Sequence, residues 1–344
     1  MSATANLPRV TVIMPARNEA RFIAHTLGAV LAQDFPPERL EIVVIDDGST
    51  DGTADVITSL PGAERVRIVA GKGRGVAAAL NVGGRAAAGE IVIRVDAHNV
   101  IAPDYVRRSV ELLVSGEADN AGGRWEIIGG TPIERAIAAA FTSPFGVGGA
   151  PWRVSECREV VDTVPFGAYW REALLRLGGW DERLTRNQDY ELNWRLRAAG
   201  GVIVYDPAIV STYHVKRGLR GLWRQYHQYG LWKARVIRMH PRSWRWRHLV
   251  APAFAASLVV AGLLSLFGPV GRLLLAGIVL AYTLAVGAAA AITAARRGWS
   301  HLPRLPLVFA ILHLSWGLGF WRGIVQPRLE PLPLPEGLYG VEKG

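Results

Sequence analysis

Two periods of apolar residues alternate along the first hundred positions of the chain. "RVTVIMPA" (9–16), "LEIVVIDDGSTDGT" (40–53), whose β-branched start ends in acids and turn formers, "RVRIVA" (65–70) and "EIVIRV" (90–95) are runs rich in Val and Ile, closed by polar or turn-forming residues. Between them, residues 19–33 carry apolar side chains at helical spacing (Phe22, Leu27, Val30, Leu31), 55–60 make a short helix, and 75–88 are Ala-rich and helical. Strands alternating with helices predict βαβ units. Strands apolar throughout predict a parallel sheet covered on both faces. Ligands of such open sheets bind beyond the carboxyl ends of the strands. The polar groups fall at those ends: Pro15 to Glu19, Asp46 to Ser49, and Asp96 to His98.

The pattern is more mixed over 120–215. Residues 161–184 read as a strand or loop leading into a short helix, 187–201 as a helix ended by Gly200 and Gly201, and 202–214 as one strand or two. Residues 216–248 are dense in Arg, Lys, Trp and Tyr. Two uncharged stretches then follow, 249–268 and 273–295, joined by a very short turn. Each has about the ~20 residues that cross a bilayer, which predicts a transmembrane hairpin. A third, weaker segment (305–324) contains His313 and begins among prolines; it could span, re-enter or lie in the interface. The tail, 326–344, is Pro-rich and expected to be extended. No internal repeat is visible.

Composition sharpens this picture. Half of the 344 residues are hydrophobic, the mean hydropathy is +0.18, and the excess gathers after residue 248. The net charge is +10, which calls for an anionic partner. Arg242, Arg245 and Arg247 precede the hairpin, Arg296 and Arg297 follow it, and the turn carries only Arg272. Both flanks are therefore expected in the cytoplasm, with Trp244, Trp246 and Trp299 as an aromatic belt. The basic stretch 216–248 then sits against anionic lipid headgroups, which accounts for the charge without nucleic acid. The single cysteine, Cys157, excludes an internal disulfide and is expected as a small buried apolar residue. The N-terminus has no apolar core behind a basic start, so no signal peptide is expected.

Candidate chemistry clusters at the strand ends. Asp96 and His98 lie two apart on the loop leaving a strand. They can either turn the chain or hold one divalent ion, Mg²⁺ or Mn²⁺, with the imidazole favouring Mn²⁺. Asp46 or Asp47 could accept from a uracil imide or ribose hydroxyls, although "DDGSTDGT" also suits a capped turn. Lys72 and Arg74 in "GKGRG" could meet a diphosphate or simply be solvated. The glycines match neither G-x-x-x-x-G-K-[ST] nor G-x-G-x-x-G. Asp189, in "NQDYEL", reads either as a helix-capping acid or as a general base kept ionised by the helix terminus.

The ordered set "VIMPARNE", "VVIDDGSTDGT", "AALNVGGRAAAGEIVIRVDAH", "PDYV", "PFGAYWRE", "GGWDE" and "NQDYELNWRLRAAG" resembles the family 2 glycosyltransferases of GT-A fold, in particular their succinoglycan-type membrane branch. The resemblance covers about residues 9–240. It implies an α/β domain over 1–240, with a nucleotide-sugar half to about residue 100, an acceptor half over 101–215 and a membrane-interface segment over 216–248. A membrane region over 249–325 would follow. It also implies an inverting hexosyltransferase of the cytoplasmic face of the plasma or inner membrane. The donor would be a UDP-sugar, most simply UDP-glucose, and the acceptor a lipid-linked (polyprenyl diphosphate) glycan precursor.

The resemblance implies site roles as well. Pro15, Arg17, Glu19, Asp46 or Asp47, Lys72, Arg74 and Asp96 would serve the donor, and Asp189 would be the base. Asp96 and His98 would hold the metal. Gly167, Ala168, Trp170 and Gln188 would line the acceptor side, with Trp170 stacked on a sugar. His98 replaces the second acid of the DxD motif, and Gln188 replaces a Glu, which should lower the pKa of the base by relieving repulsion. "QYGLW" (228–232) keeps Gln and Trp of the processive Q-x-x-R-W motif but has Leu231 for Arg, so a single-sugar transferase is expected. The rival readings are a transferase acting on a simple polyprenyl phosphate and an inactive membrane-anchored nucleotide-sugar-binding protein.

Overall fold

The computed structural model describes residues 7–215, 218–335 and 338. Residues 216–217 of the basic stretch and most of the tail beyond 335 lie outside the described residues. The chain divides into two compact units. One takes in residues up to Glu126 and Ser155–Tyr213, the other Ile127–Val154 and His214–Pro331.

The first unit is built on the predicted βαβ pattern. The strands are β1 (Val10–Ala16), β2 (Leu40–Asp46), β3 (Val66–Ala70), β4 (Ile91–Arg94), β5 (Asn99–Ile101), β6 (Asn120–Gly129), β7 (Glu159–Val160), β8 (Ala168–Trp170) and β9 (Ile203–Val215). Among the described residues they form one sheet in the order β3-β2-β1-β4-β8-β6-β9-β5, with β7 on β9. β3, β2, β1 and β4 are parallel, and β8 turns the sheet antiparallel against β4. β1 and β4 are buried on both faces, as strands between helix layers must be. The register puts Ala16 beside Asp46 and Asp46 beside Ala70, so β1, β2 and β3 end together, while β4 ends three residues earlier, with Arg94 beside Ile13. Residues 202–214 make one strand rather than two.

Cys157 is exposed, contrary to expectation. It sits in the turn before β7, where its backbone N–H donates to Ser155 Oγ.

The second unit is helical. Its three apolar helices run Val250–Ser265, Pro269–Arg297 and Leu305–Ile324. The last two are long and apolar enough to cross a membrane by length and composition. The first, expected as a span over 249–268, has 16 residues and reaches only ~24 Å, because it stops at Ser265, before the Gly268–Pro269 turn that starts the next helix. Of the most apolar 18-residue stretch of each, 17% is buried in Pro269–Arg297 but 44% in Leu305–Ile324. The cause is a seam of glycines. A Cβ on Gly230 would stand 2.1 Å from Trp316 O, one on Gly319 2.0 Å from His227 O, and one on Gly323 2.2 Å from Leu231 O. The basic helix Leu219–Met239 thus packs backbone against backbone on Leu305–Ile324, an approach only glycine allows. Residues 127–154, expected in the sheet domain, join this unit: His313 Nε2 lies 2.7 Å from Phe145 O, and Phe145 meets Phe309 edge-on at 5.2 Å.

Candidate active site

Four loops at the carboxyl ends of the parallel strands make the site. "PARNE" after β1 and "DDGSTDGT" after β2 are tied together. Asn18 Oδ1 accepts from Thr50 N (2.8 Å), Asn18 N donates to Ser49 Oγ (3.0 Å), Glu19 N to Thr53 Oγ1 (2.9 Å) and Ala20 N to Asp51 Oδ2 (3.0 Å).

The two acids after β2 have separate surroundings. Asp46 Oδ1 accepts from Ser49 N at 2.9 Å, an Asx-type turn. Asp47 is buried and spends both oxygens on the "GKGRG" loop, taking Gly73 N at 2.7 Å and Gly75 N at 2.9 Å. That loop passes so close that a Cβ on Gly71 would stand 2.7 Å from Asp47 Cα. Lys72 and Arg17 are exposed, and Arg74 pairs with Glu182 at 3.1 Å. Pro15 is the next-to-last residue of β1, beside Ile45.

β4 contributes a residue that the apolar pattern hid. Arg94 stands at the end of an otherwise apolar strand, with 5% of its side chain exposed. Its Nε and Nη2 donate to Asp96 Oδ1 and Oδ2 at 2.9 and 3.2 Å, and its Nη1 donates to Asp189 Oδ1 at 2.5 Å. One guanidinium therefore joins the acid after β4 to the acid on the helix Gln188–Ala198. Burial opposes the charge on Arg94, but Asp189 and then Asp96 more than restore it, and its pKa rises. The Phe166 ring lies 5.6 Å from the guanidinium carbon.

Asp189 is not a cap. Asn187 holds the N-cap position with φ 61°, and Asp189 is the second helical residue. Its Oδ1 also accepts from Trp180 Nε1 at 2.8 Å. The carboxyl titrates above the usual range, against the expectation of a lowered value: burial dominates, Arg94 opposes it, Asp96 reinforces it and Trp180 opposes it. The side chain keeps 23% of its surface, enough for a substrate hydroxyl to reach it.

His98 points elsewhere. Its Nδ1 lies 2.9 Å from Glu19 Oε1. The structure thus brings Asp96 and Asp189 together through Arg94 and ties His98 to the loop after β1. Among the described residues no group of three His, Cys, Asp or Glu side chains could hold a metal ion unaided. An oxygen donor from Asp96 and a nitrogen donor from His98 suit a cation that completes its shell with substrate phosphates and water.

The acceptor-side residues divide. Gly167, in the turn before β8, lies at the site, where its carbonyl accepts from Arg94 N at 3.2 Å. Ala168 and Gln188 are buried. Trp170 pairs with Ile91 at the opposite end of β4 and packs on the core, so it is not placed to stack on a sugar at the site. Phe166 takes its place beside Arg94, with φ 63°. The three non-glycine residues with positive φ among those described are Asn18, Phe166 and Asn187. Asn18 lies in the loop after β1, Phe166 beside Arg94, and Asn187 at the N-cap of the helix that carries Asp189, the pattern expected where backbone strain serves a site.

The sequence profile described as "Glycosyl transferase family 2" matches residues 11–178, and so takes in β1 to β4 with their loops and β8, and ends two residues before Trp180. The protein carries a family 2 glycosyltransferase domain. The transferase is similar to the succinoglycan biosynthesis protein ExoA of Rhizobium meliloti (strain 1021), at 29% identity over 92% of this chain and 95% of that one. It is also similar to the dolichyl N-acetyl-alpha-D-glucosaminyl phosphate 3-beta-D-2,3-diacetamido-2,3-dideoxy-beta-D-glucuronosyltransferase of Methanococcus voltae, at 27% identity over 74% and 82%. Its fold is that of the mannosyltransferase PcManGT from Pyrobaculum calidifontis, solved in complex with GDP-Man and Mn²⁺, with a TM-score of 0.60, 24% identity, and 90% and 88% of the two chains covered. The transferase therefore has the GT-A fold expected from its motifs, with two apolar helices near the C-terminus able to cross a membrane.

Four site residues escaped the sequence reading: Arg94, Trp180, Phe166 and Asn81, the last of which pins the Trp180 backbone through two 2.8 Å hydrogen bonds. Only Arg94 left a signal, a lone charge at the end of a β-branched run.

Proposed function

We propose that the protein transfers a hexose from a UDP-sugar, with inversion, to a lipid-linked glycan precursor at the cytoplasmic face of a membrane. The observation that carries this reading is Asp189: a partly exposed carboxylate, raised in pKa, tied through Arg94 to the acid that ends β4. A single base suffices for one inverting displacement, since it need only take the proton of the attacking hydroxyl. Asp46, Glu19 and the "GKGRG" loop with Lys72 would bind the nucleotide and its phosphates, while Asp47 fixes that loop. Asp96 and His98 would hold a divalent cation, which neutralises charge building on the departing diphosphate. Gly167 and Phe166 would border the acceptor.

Membrane attachment follows from the second unit. Leu305–Ile324 is bound along its length to a helix carrying Arg220, Arg224, Arg235 and Arg238. Those charges belong at the headgroups, so both helices would lie in the interface. The hairpin of Val250–Ser265 and Pro269–Arg297 would enter the hydrocarbon.

The decisive test is a donor and acceptor screen with purified protein. With Mn²⁺, a UDP-hexose and a polyprenyl diphosphate glycan, transfer is expected; EDTA should abolish it and Mn²⁺ restore it. Preference for GDP-sugars or for a simple polyprenyl phosphate would replace the substrate assignment. Absence of any turnover across the panel would leave a binding protein.

The raised pKa of Asp189 sets the pH profile. The base acts ionised, so the rate falls as pH drops through its folded pKa. The acid limb of kcat/KM is therefore expected above the ~3.9 of an ordinary Asp. A profile flat down to pH 4 would remove Asp189 from the rate-limiting proton transfer.

A further inference from the structure

The two oxygens of the base are not equivalent. Arg94 Nη1 (2.5 Å) and Trp180 Nε1 (2.8 Å) both donate to Oδ1. Among the described residues Oδ2 has no partner. The two donors are themselves held. Arg94 rises from β4 with its backbone N–H on Gly167 O, its ring contact to Phe166, and its other N–H groups on Asp96. Trp180 is 1% exposed. Its backbone N–H and carbonyl are clasped by the Asn81 amide at 2.8 Å each, and Arg195 Nη2 grips the preceding carbonyl, Gly179 O, at 2.7 Å. Neither donor is free to turn to the other oxygen.

We propose that Arg94 and Trp180 are positioning residues for the base: by saturating Oδ1 they reserve Oδ2 for the proton of the acceptor hydroxyl. This rests on the assignment of Asp189 as base. In the step, the hydroxyl oxygen forms its bond to the anomeric carbon and its proton passes to Oδ2. The bond from that carbon to the diphosphate oxygen breaks, and its electron pair leaves on the diphosphate. Two fixed donors on Oδ1 aim the lone pairs of Oδ2 before substrate arrives, so the orientation is set by the protein rather than by the acceptor. Because Arg94 also clasps Asp96, the direction of the base is referenced to the strand that carries the donor-side acid.

Trp180→Phe removes one of the two N–H groups while keeping an aromatic ring. Turnover at saturating donor is expected to fall about tenfold or more, with the donor KM within about twofold of wild type. The acid limb of the pH profile should move upward, because a hydrogen bond favouring the carboxylate is lost. Thermal unfolding and UDP affinity are measured alongside. If the variant melts and binds UDP as wild type does, yet keeps its kcat within about twofold and its acid limb in place, the positioning role is overturned. If Trp180→Phe does not fold, Arg94→Lys decides. Its compact ammonium cannot serve both carboxylates as a planar fork does, so an unchanged kcat there would equally overturn the proposal. Asp189→Asn separates this from the underlying reading. An active Asp189→Asn removes the base itself, whereas an inactive one beside an unaffected Trp180→Phe removes only the positioning role.

Discussion

Asp189→Asn is expected to lower kcat by about 10³-fold, within the range that general-base catalysis contributes, while UDP affinity stays near wild type. Asn has almost the same shape, and its amide oxygen can still accept from Arg94 and Trp180, so the loop around Trp180 should hold. What disappears is the basic lone pair. Donor binding should survive because the groups proposed for it sit on the loops after β1, β2 and β4, whereas Asp189 comes from the helix Gln188–Ala198. Single-turnover kinetics at saturating donor, together with calorimetric UDP titration, checks both halves. A kcat within tenfold of wild type would place the base elsewhere.

Arg195→Met is expected to cost about 3–5 kcal/mol of stability, the penalty for stranding a buried charge. Arg195 and Glu191 are both fully buried, with Nε on Oε1 at 2.8 Å and Nη2 on Oε2 at 2.6 Å. The same guanidinium serves Leu177 O and Gly179 O. The substitution would take the opposite charge away from the buried Glu191 and remove the donors from the Leu177 and Gly179 carbonyls behind the turn that carries Trp180. A large drop in thermal unfolding temperature in detergent is the readout, and Arg195→Met with Glu191→Leu should recover much of it. A single variant as stable as wild type would show that the pair contributes no net stability.

Much of the sheet was legible because its signal is local. Val and Ile runs closed by Pro15, Asp46 and Asp96 mark strands by composition alone, and β1, β2 and β4 fall within them. The clustering of acids at the strand ends was legible for the same reason, since parallel strands all end on one side. Partners were not legible. That Asp47 would bind Gly73 and Gly75 while Asp46 remains at the turn depends on where the "GKGRG" loop returns. Trp170 looked like a sugar platform beside Gly167, but antiparallel pairing carries it to the opposite end of β4, three residues along the strand from the site.

The second unit shows the same division. Hydropathy marked three apolar segments correctly. It could not weigh Leu305–Ile324, because the glycines that matter lie on two helices more than sixty residues apart in sequence. By itself the amino-acid sequence determined the parallel sheet, the edge where chemistry gathers and the apolar helices, all of which depend on residues near one another in the chain. Only the tertiary structure decided that Arg94 would bridge Asp96 and Asp189, that His98 would turn to Glu19, and that Cys157 would be exposed. Each of these is a contact, or the lack of one, between segments whose separation in space no local pattern encodes.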